Sequence, residues 1–209
     1  MPVYKLTYFN LGALAEPIRW AFKLAEVDFE DERIEREDWP ALKKSGRFPS
    51  ENMPLLEIDG EVFTQSSAIL RYLGNKFGLT VDDEIQRLRL DQVIDITTDV
   101  RPSFRAYFFE ADPEKKEKAR LTIVNEVVPL YLRQIEGIVI KTDGPYIAGS
   151  KLTYGDLSLT AALNVWIGVG VITEAQLQEA YPATAKLREA VLNVPQIKAW
   201  LEVRPKTTF

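Results

Sequence analysis

The sequence predicts an α/β domain over residues 1–79 followed by an all-helical domain over residues 82–209. Strand-like and helix-like patterns alternate through the first part, Asp59-Gly60 stands between two short apolar runs, and strand signals nearly vanish after residue 82. Residues 3–8 read as a strand. Residues 15–25 carry helical spacing at Ile18, Ala21, Phe22 and Ala25, and residues 29–34 read as a second strand, so the chain opens with a β-α-β unit. The stretch 36–44, with Trp39-Pro40, reads as a broken helix or an ordered loop. Residues 55–58 and 62–64 form a hairpin across Asp59-Gly60, a pair suited to a tight turn. Pro54 stands at the mouth of that hairpin. It donates no ladder hydrogen bond and holds Met53 extended, which leaves the Met53 N–H and C=O for a ligand; a cis bond here would be a built feature. Gln65-Ser66-Ser67 then opens a helical pattern through Ala68, Ile69, Tyr72 and Leu73. A helix start offers unpaired N–H groups and a positive dipole end to an anion.

The second half reads as successive amphipathic helices. One runs from 84 to about 109. Asp112-Pro113-Glu114 supplies an N-cap, a proline at the first helical position and an acidic first turn for the next, which reaches about 140. Residues 142–145 (T-D-G-P) break the chain. Thr153-Tyr154-Gly155-Asp156 has the form of a capping box with Asp in place of Glu, and Leu152 can pack on Leu157 as a staple, so a helix follows to about 167. Shorter helices at 174–179 and 182–192 and a last turn at 197–201 close the chain. The β-α-β-(loop)-β-β-α order of the first half is thioredoxin-like, with helices expected on both sheet faces. The predicted fold is therefore a thioredoxin-like N-terminal domain with an all-helical C-terminal domain.

Composition narrows function. The 209 residues are 46% hydrophobic, enough for a sizeable core. The net charge of -5, from 26 basic and 31 acidic residues without a long basic run, argues against nucleic acid as a partner. The N-terminus lacks a signal-type apolar core, and the most apolar run, 161–172, is too short to span a bilayer, so a cytoplasmic protein without membrane association is expected. Cysteine and histidine are both absent. That removes thiolate nucleophiles, disulfides, histidine bases, Ser-His-Asp triads and His/Cys zinc sites. Demanding chemistry must arrive with a bound molecule.

Four blocks carry a family likeness: the opening M-P-V-Y-K-L-T-Y-F-N, E-D-E-R-I-E-R-E-D-W-P-A-L-K, M-P-L-L-E-I-D-G with its following Q-S, and the closing I-K-A-W-L-E-V-R-P. Together they resemble the cytosolic glutathione transferases of the sigma class over the whole chain, and A-L-A-E-P-I-R at 13–19 is closest to arthropod-type members. The resemblance implies an enzyme that conjugates reduced glutathione, its co-substrate, to small hydrophobic electrophiles, with no metal required. Tyr8 matches the family's catalytic tyrosine. A thiol of pKa about 8.5 is mostly protonated at neutral pH, and lowering it two units requires about 2.7 kcal/mol of thiolate stabilisation. A neutral phenol aimed at sulfur is a suitable donor.

By the same resemblance Gln65 and Ser66 bind the γ-glutamyl end, the backbone of Met53 beside Pro54 pairs with the cysteinyl unit, and Trp39 and Lys43 hold the glycyl end. Asn52 stands where a longer Gln or Lys is usual. Asp91, Asp95 and Asp99 share one helical stripe. The residue matching Asp99 reaches the glutathione of the neighbouring subunit, which implies a homodimer. Some sigma members hold a divalent ion between subunits; here Thr98 replaces one carboxylate and leaves Asp95 and Asp99. Phe9, Leu14, Phe104, Tyr107, Ser158 and Ala162 match the walls of the electrophile pocket. Leu14 replaces an arginine of vertebrate-type sigma enzymes, and no tryptophan occurs near 104–107, both of which point away from a prostaglandin endoperoxide as substrate. The residues alone leave plainer readings open: Tyr8 as a half-buried strand tyrosine, Gln65-Ser66 as a helix cap, and the aromatic positions as core. Two other functions also fit the family: a glutathione-dependent isomerase or peroxidase of the prostaglandin D synthase kind, and a non-catalytic crystallin-like relative.

Overall fold

The computed structural model describes residues 2–207. By contacts the chain divides into two compact units, Met1–Thr80 with Asn193–Phe209, and Val81–Leu192.

The first unit is built on a four-stranded sheet of order β2-β1-β3-β4, with β1 Tyr4–Phe9, β2 Glu30–Ile34, β3 Leu55–Ile58 and β4 Glu61–Phe63. β1 runs parallel to β2, with Tyr8 opposite Arg33, and antiparallel to β3, with Thr7 opposite Leu55. Helix α1 (Glu16–Leu24) makes the crossover between the parallel strands. Asp59 and Gly60 both have positive φ, 50° and 88°, as a tight two-residue hairpin turn requires. The expected strand and helix positions hold to within about one residue.

Alternate residues of β1 divide two unlike faces. Tyr4 and Leu6 are buried with Ile18, Trp20 and Phe22 of α1 and with Ile69, Leu70 and Leu73 of α3 (Ser66–Lys76). Tyr4 tilts against Phe22 at 5.1 Å between ring centroids. Each large apolar side chain buried here contributes about 1.5–3 kcal/mol. The other face carries Lys5 and Thr7 beside Glu30, Glu32 and Glu57. Its one helix, α2 (Trp39–Lys43), has five residues and buries none. Helices were expected on both faces; acidic side chains on β2 and β3 give this face a polar covering instead.

The final helix, α11 (Pro195–Val203), packs on α1. Trp200 Nε1 and Arg204 Nη1 donate to Glu16 Oε1 at 3.0 and 2.8 Å. The other carboxylate oxygen of Glu16 accepts from Arg19, which is wholly buried and also binds Asp31. A buried charge stripped of such a partner costs several kcal/mol. Trp200 and Arg204 complete the shell around Glu16, and residues 193–209 thereby group with the first unit, whereas the sequence reading put them with the helices of 82–209.

The second unit contains α4 (Glu84–Asp99), α5 (Arg101–Phe109), α6 (Pro113–Thr122), α7 (Val128–Val139), α8 (Tyr154–Gly168), α9 (Glu174–Ala180) and α10 (Pro182–Leu192). Two long helices of the sequence reading are each interrupted. The 84–109 helix divides at Val100, because Pro102 has no N–H to offer the preceding turn. The 113–140 helix opens into a π turn, Ile123–Val127, just before Pro129. The capping box is present: the buried Asp156 carboxylate accepts from the Thr153 N–H and hydroxyl at 2.8 and 2.6 Å and from the Ile147 N–H at 2.8 Å. Burial pushes the Asp156 carboxyl up to about 6, against the pull of those bonds. Gly155 lets α8 approach α4, since a Cβ there would lie 3.2 Å from the Leu90 backbone. Among the described residues no helix is long and apolar enough to cross a membrane.

Candidate active site

Tyr8 lies next to the end of β1 and is only 6% exposed, its ring edge-on to Phe9 at 5.7 Å. One step beyond the Thr7–Leu55 pair, the antiparallel register brings it level with Pro54. The chain leaves the strand through a short loop into a 3₁₀ turn, Ala13–Ala15, where Leu14 is half-buried. That loop is held from two sides. The Asn10 N–H donates to Ile34 O at 3.1 Å and Arg33 donates to Asn10 Oδ1 at 3.2 Å, while buried Arg19 donates to Leu11 O at 2.7 Å. Charged donors of this kind fix geometry more firmly than neutral ones.

Across the register, the Met53–Pro54 bond is cis and Pro54 is buried. The hairpin returns to Gln65, whose backbone takes φ 71° and ψ 97°, a region that residues with a Cβ rarely enter and that costs on the order of 1–3 kcal/mol. Gln65 provides no side-chain cap, and α3 begins directly at buried Ser66. A strained residue is thus held at the start of an eleven-residue helix, with the first-turn N–H groups outside the helical ladder. Such a corner suits a carboxylate.

The remaining first-unit candidates lie between β2 and β3. Trp39 is half-buried, edge-on to both Phe9 at 5.7 Å and Phe48 at 4.9 Å. Lys43 pairs with Glu51 at 3.3 Å, and the exposed Asn52 donates to Ser50 O at 2.6 Å. An exposed pair such as Lys43–Glu51 is worth about 0–1 kcal/mol, so a ligand carboxylate can exchange for Glu51 at little cost.

The helical unit carries the other candidates. Phe104 on α5 is buried and stacks on Trp166 of α8 at 6.3 Å, and half-buried Tyr107 tilts against Phe108 at 5.2 Å. Ser158, buried, and Ala162, half-buried, lie on α8. Asp99 ends α4 and is exposed, as is Asp95. Asp91 of the same stripe accepts from Tyr154 Oη at 3.0 Å. Among the described residues no three carboxylates gather as a metal-holding group.

Sequence reasoning passed over the charged residues that position these elements. Arg19 and Glu16 stand inside the A-L-A-E-P-I-R block but were given no role, and Arg47 sits in a loop of small and polar residues, S-G-R-F-P-S. A lone arginine beside an aromatic in such a loop, opposite an acidic strand, was the available signal.

Residues 4–75 match the glutathione S-transferase N-terminal domain and residues 98–204 the glutathione S-transferase C-terminal domain. A glutathione S-transferase of Anopheles gambiae is 37% identical over 207 residues, with 99% of each chain covered. Among solved structures, a prostaglandin synthase D of Nilaparvata lugens aligns with a TM-score of 0.88 at 40% identity, covering 99% of this chain and all of that one. A glutathione S-transferase of the hookworm Necator americanus, described as monomeric, aligns with a TM-score of 0.81 at 29% identity, again over 99% of this chain and all of that one. With both domains matched in order and relatives alike along its whole length, the chain belongs to the glutathione S-transferase family and is a glutathione transferase.

Proposed function

We propose that this is a sigma-class, cytoplasmic enzyme that adds glutathione to small hydrophobic electrophiles, with detoxification as its role and Tyr8 as the residue that stabilises the thiolate. The observation that carries the proposal is the placement of Tyr8 at the end of β1, level with the cis-Pro54 corner, in a chain without cysteine or histidine. Ser66 and Gln65 take the γ-glutamyl carboxylate at the start of α3, the Met53 backbone pairs with the cysteinyl unit, and Trp39, Lys43 and Asn52 hold the glycyl end. The Tyr8 hydroxyl donates to the sulfur and favours the thiolate; the thiol proton leaves to water and the phenol keeps its own. The hydrogen-bonded thiolate then attacks the electrophile. Phe9, Leu14, Phe104, Tyr107, Ser158 and Ala162 line that second substrate. Tyr8→Phe should lower kcat about 100-fold or more while leaving the glutathione Kd within about twofold. Unchanged turnover would remove Tyr8 from the role.

A homodimer belongs to the same proposal, with Asp99 of each subunit reaching the partner's glutathione. Exposed Phe63 and Tyr72 border a groove of about 450 Å³ between the β3-β4 hairpin and α3, a face that a second copy can cover. Light scattering of the purified protein decides between this and a monomer of the hookworm kind. A second reading, a glutathione-dependent prostaglandin isomerase, is favoured by the likeness to the Nilaparvata lugens structure. Leu14 and the absence of tryptophan from 104–107 weigh against it, and product analysis with a prostaglandin endoperoxide separates the two.

A further inference from the structure

The glycyl-end candidates share one weakness. Trp39 and Lys43 on α2, and Asn52 farther on, all lie on the excursion between β2 and β3, whose backbone bonds at 42–51 are local, such as Ser45 N–H to Leu42 O and Glu51 N–H to Phe48 O. Midway along it Arg47 reaches the sheet. Its guanidinium donates Nη1 to Glu32 Oε1 at 3.0 Å and Nη2 to Glu32 Oε2, to Thr7 Oγ1 at 3.0 Å and to Glu57 Oε1 at 3.3 Å. Those acceptors belong to β2, β1 and β3 in turn. Thr7 closes the cluster by donating to Glu32 at 2.6 Å, and Lys5 pairs with Glu30 at 2.9 Å and with Glu32 at 3.5 Å. From Arg47 an aromatic chain leads back to the strand that bears Tyr8. The guanidinium lies 5.3 Å from the Phe48 ring centroid, Phe48 packs on Trp39, and Trp39 packs on Phe9.

We infer that Arg47 is a positioning residue for the glycyl end of the peptide co-substrate: anchored to three strands at once, it fixes the excursion so that Trp39, Lys43 and Asn52 stand at a set distance from Tyr8. The inference rests on the reading that these residues hold glutathione. The planar fork engages both Glu32 oxygens at once through Nη1 and Nη2, a fixed two-point match that a lysine ammonium does not reproduce. The hydrogen bond from Arg47, with lesser help from Thr7 and the two cations, holds the Glu32 carboxyl down at about 2, so the anchor is ionised across the working pH range. Arg47 binds the Thr7 face of β1, opposite the face that carries Tyr8. Its loss therefore acts on where the peptide's far end is held and not on how the sulfur is activated.

The test compares glutathione with γ-glutamylcysteine, the same thiol without the glycyl unit, using an activated aryl halide as electrophile and the purified wild-type, Arg47→Ala and Arg47→Lys proteins. Arg47→Ala should raise the KM for glutathione about tenfold, the scale of one lost charged hydrogen bond, and leave the KM for γ-glutamylcysteine within about twofold. The kcat at saturation and its pH profile should match the wild type with either peptide. Arg47→Lys should fall between the two, about threefold, and it keeps the test usable if the alanine variant does not fold. Equal changes in KM for both peptides, or a kcat that falls with both, would overturn the inference and leave Arg47 a stability residue. A wild-type enzyme that does not distinguish the two peptides would instead overturn the glycyl grip itself, a failure visible before any variant is made.

Discussion

The two ends of the candidate glutathione cradle are built by opposite means. The γ-glutamyl end stands on β3, paired on both sides, and on buried Pro54, Leu55, Leu56, Ser66 and Ile69. The glycyl end stands on a five-residue helix with no buried side chain and on a loop anchored by the Arg47 cluster and one aromatic chain. One is held by ladder hydrogen bonds and apolar burial, which act at every position. The other is held at a few points, by the Arg47 cluster and by the buried ring of Phe48. On the proposed reading, the β3 ladder fixes the amino end of the peptide and the Arg47 anchor its carboxyl end.

Hydrogen exchange gives the largest contrast: amides of 44–52 should exchange at least about 1,000-fold faster than those of Leu55 and Leu56, because loop openings cost little and core strands open only with the domain. Equal protection would erase the distinction between the two ends. Acid comes next. Glu32 has its folded pKa pulled from 4.5 to about 2, so its contribution is whole above about pH 4.5 and is lost as pH falls toward 2. With its side chain a quarter exposed, that loss should be about 2–3 kcal/mol, and Glu32→Gln should flatten the acid limb of a denaturation series. Ser66→Ala should weaken glutathione binding by about 2 kcal/mol, roughly 30-fold, as checked by calorimetry. The smallest effect belongs to Lys43→Ala. Glutathione binding should drop no more than about fivefold, and the drop should shrink in high salt, as for an exposed rim charge.

What could be read in the sequence follows the same division. The γ-glutamyl end is written in local signals: Asp59-Gly60 sets the hairpin, Pro54 its mouth, and Gln65-Ser66 the start of α3, so the hairpin and helix appeared nearly in register. The glycyl end depends on contacts between distant residues, Arg47 with Glu32 and with Thr7, which no local pattern displays. The same holds for Trp200 and Arg204 on Glu16, 184 and 188 residues away, which draw the last helix onto α1. The helix interruptions were legible in principle. Pro102 and Pro129 each lie inside a helical pattern, and the amphipathic spacing that continues across them concealed the breaks.

Titration of the bound thiol tests the central claim most directly, followed through the ultraviolet absorbance of the thiolate in the complex of enzyme and glutathione without electrophile. The thiol pKa should be about 6.5 on the wild-type enzyme and about 8.5, the free value, on Tyr8→Phe at the same glutathione occupancy. Thiols that titrate together on the two proteins would contradict it.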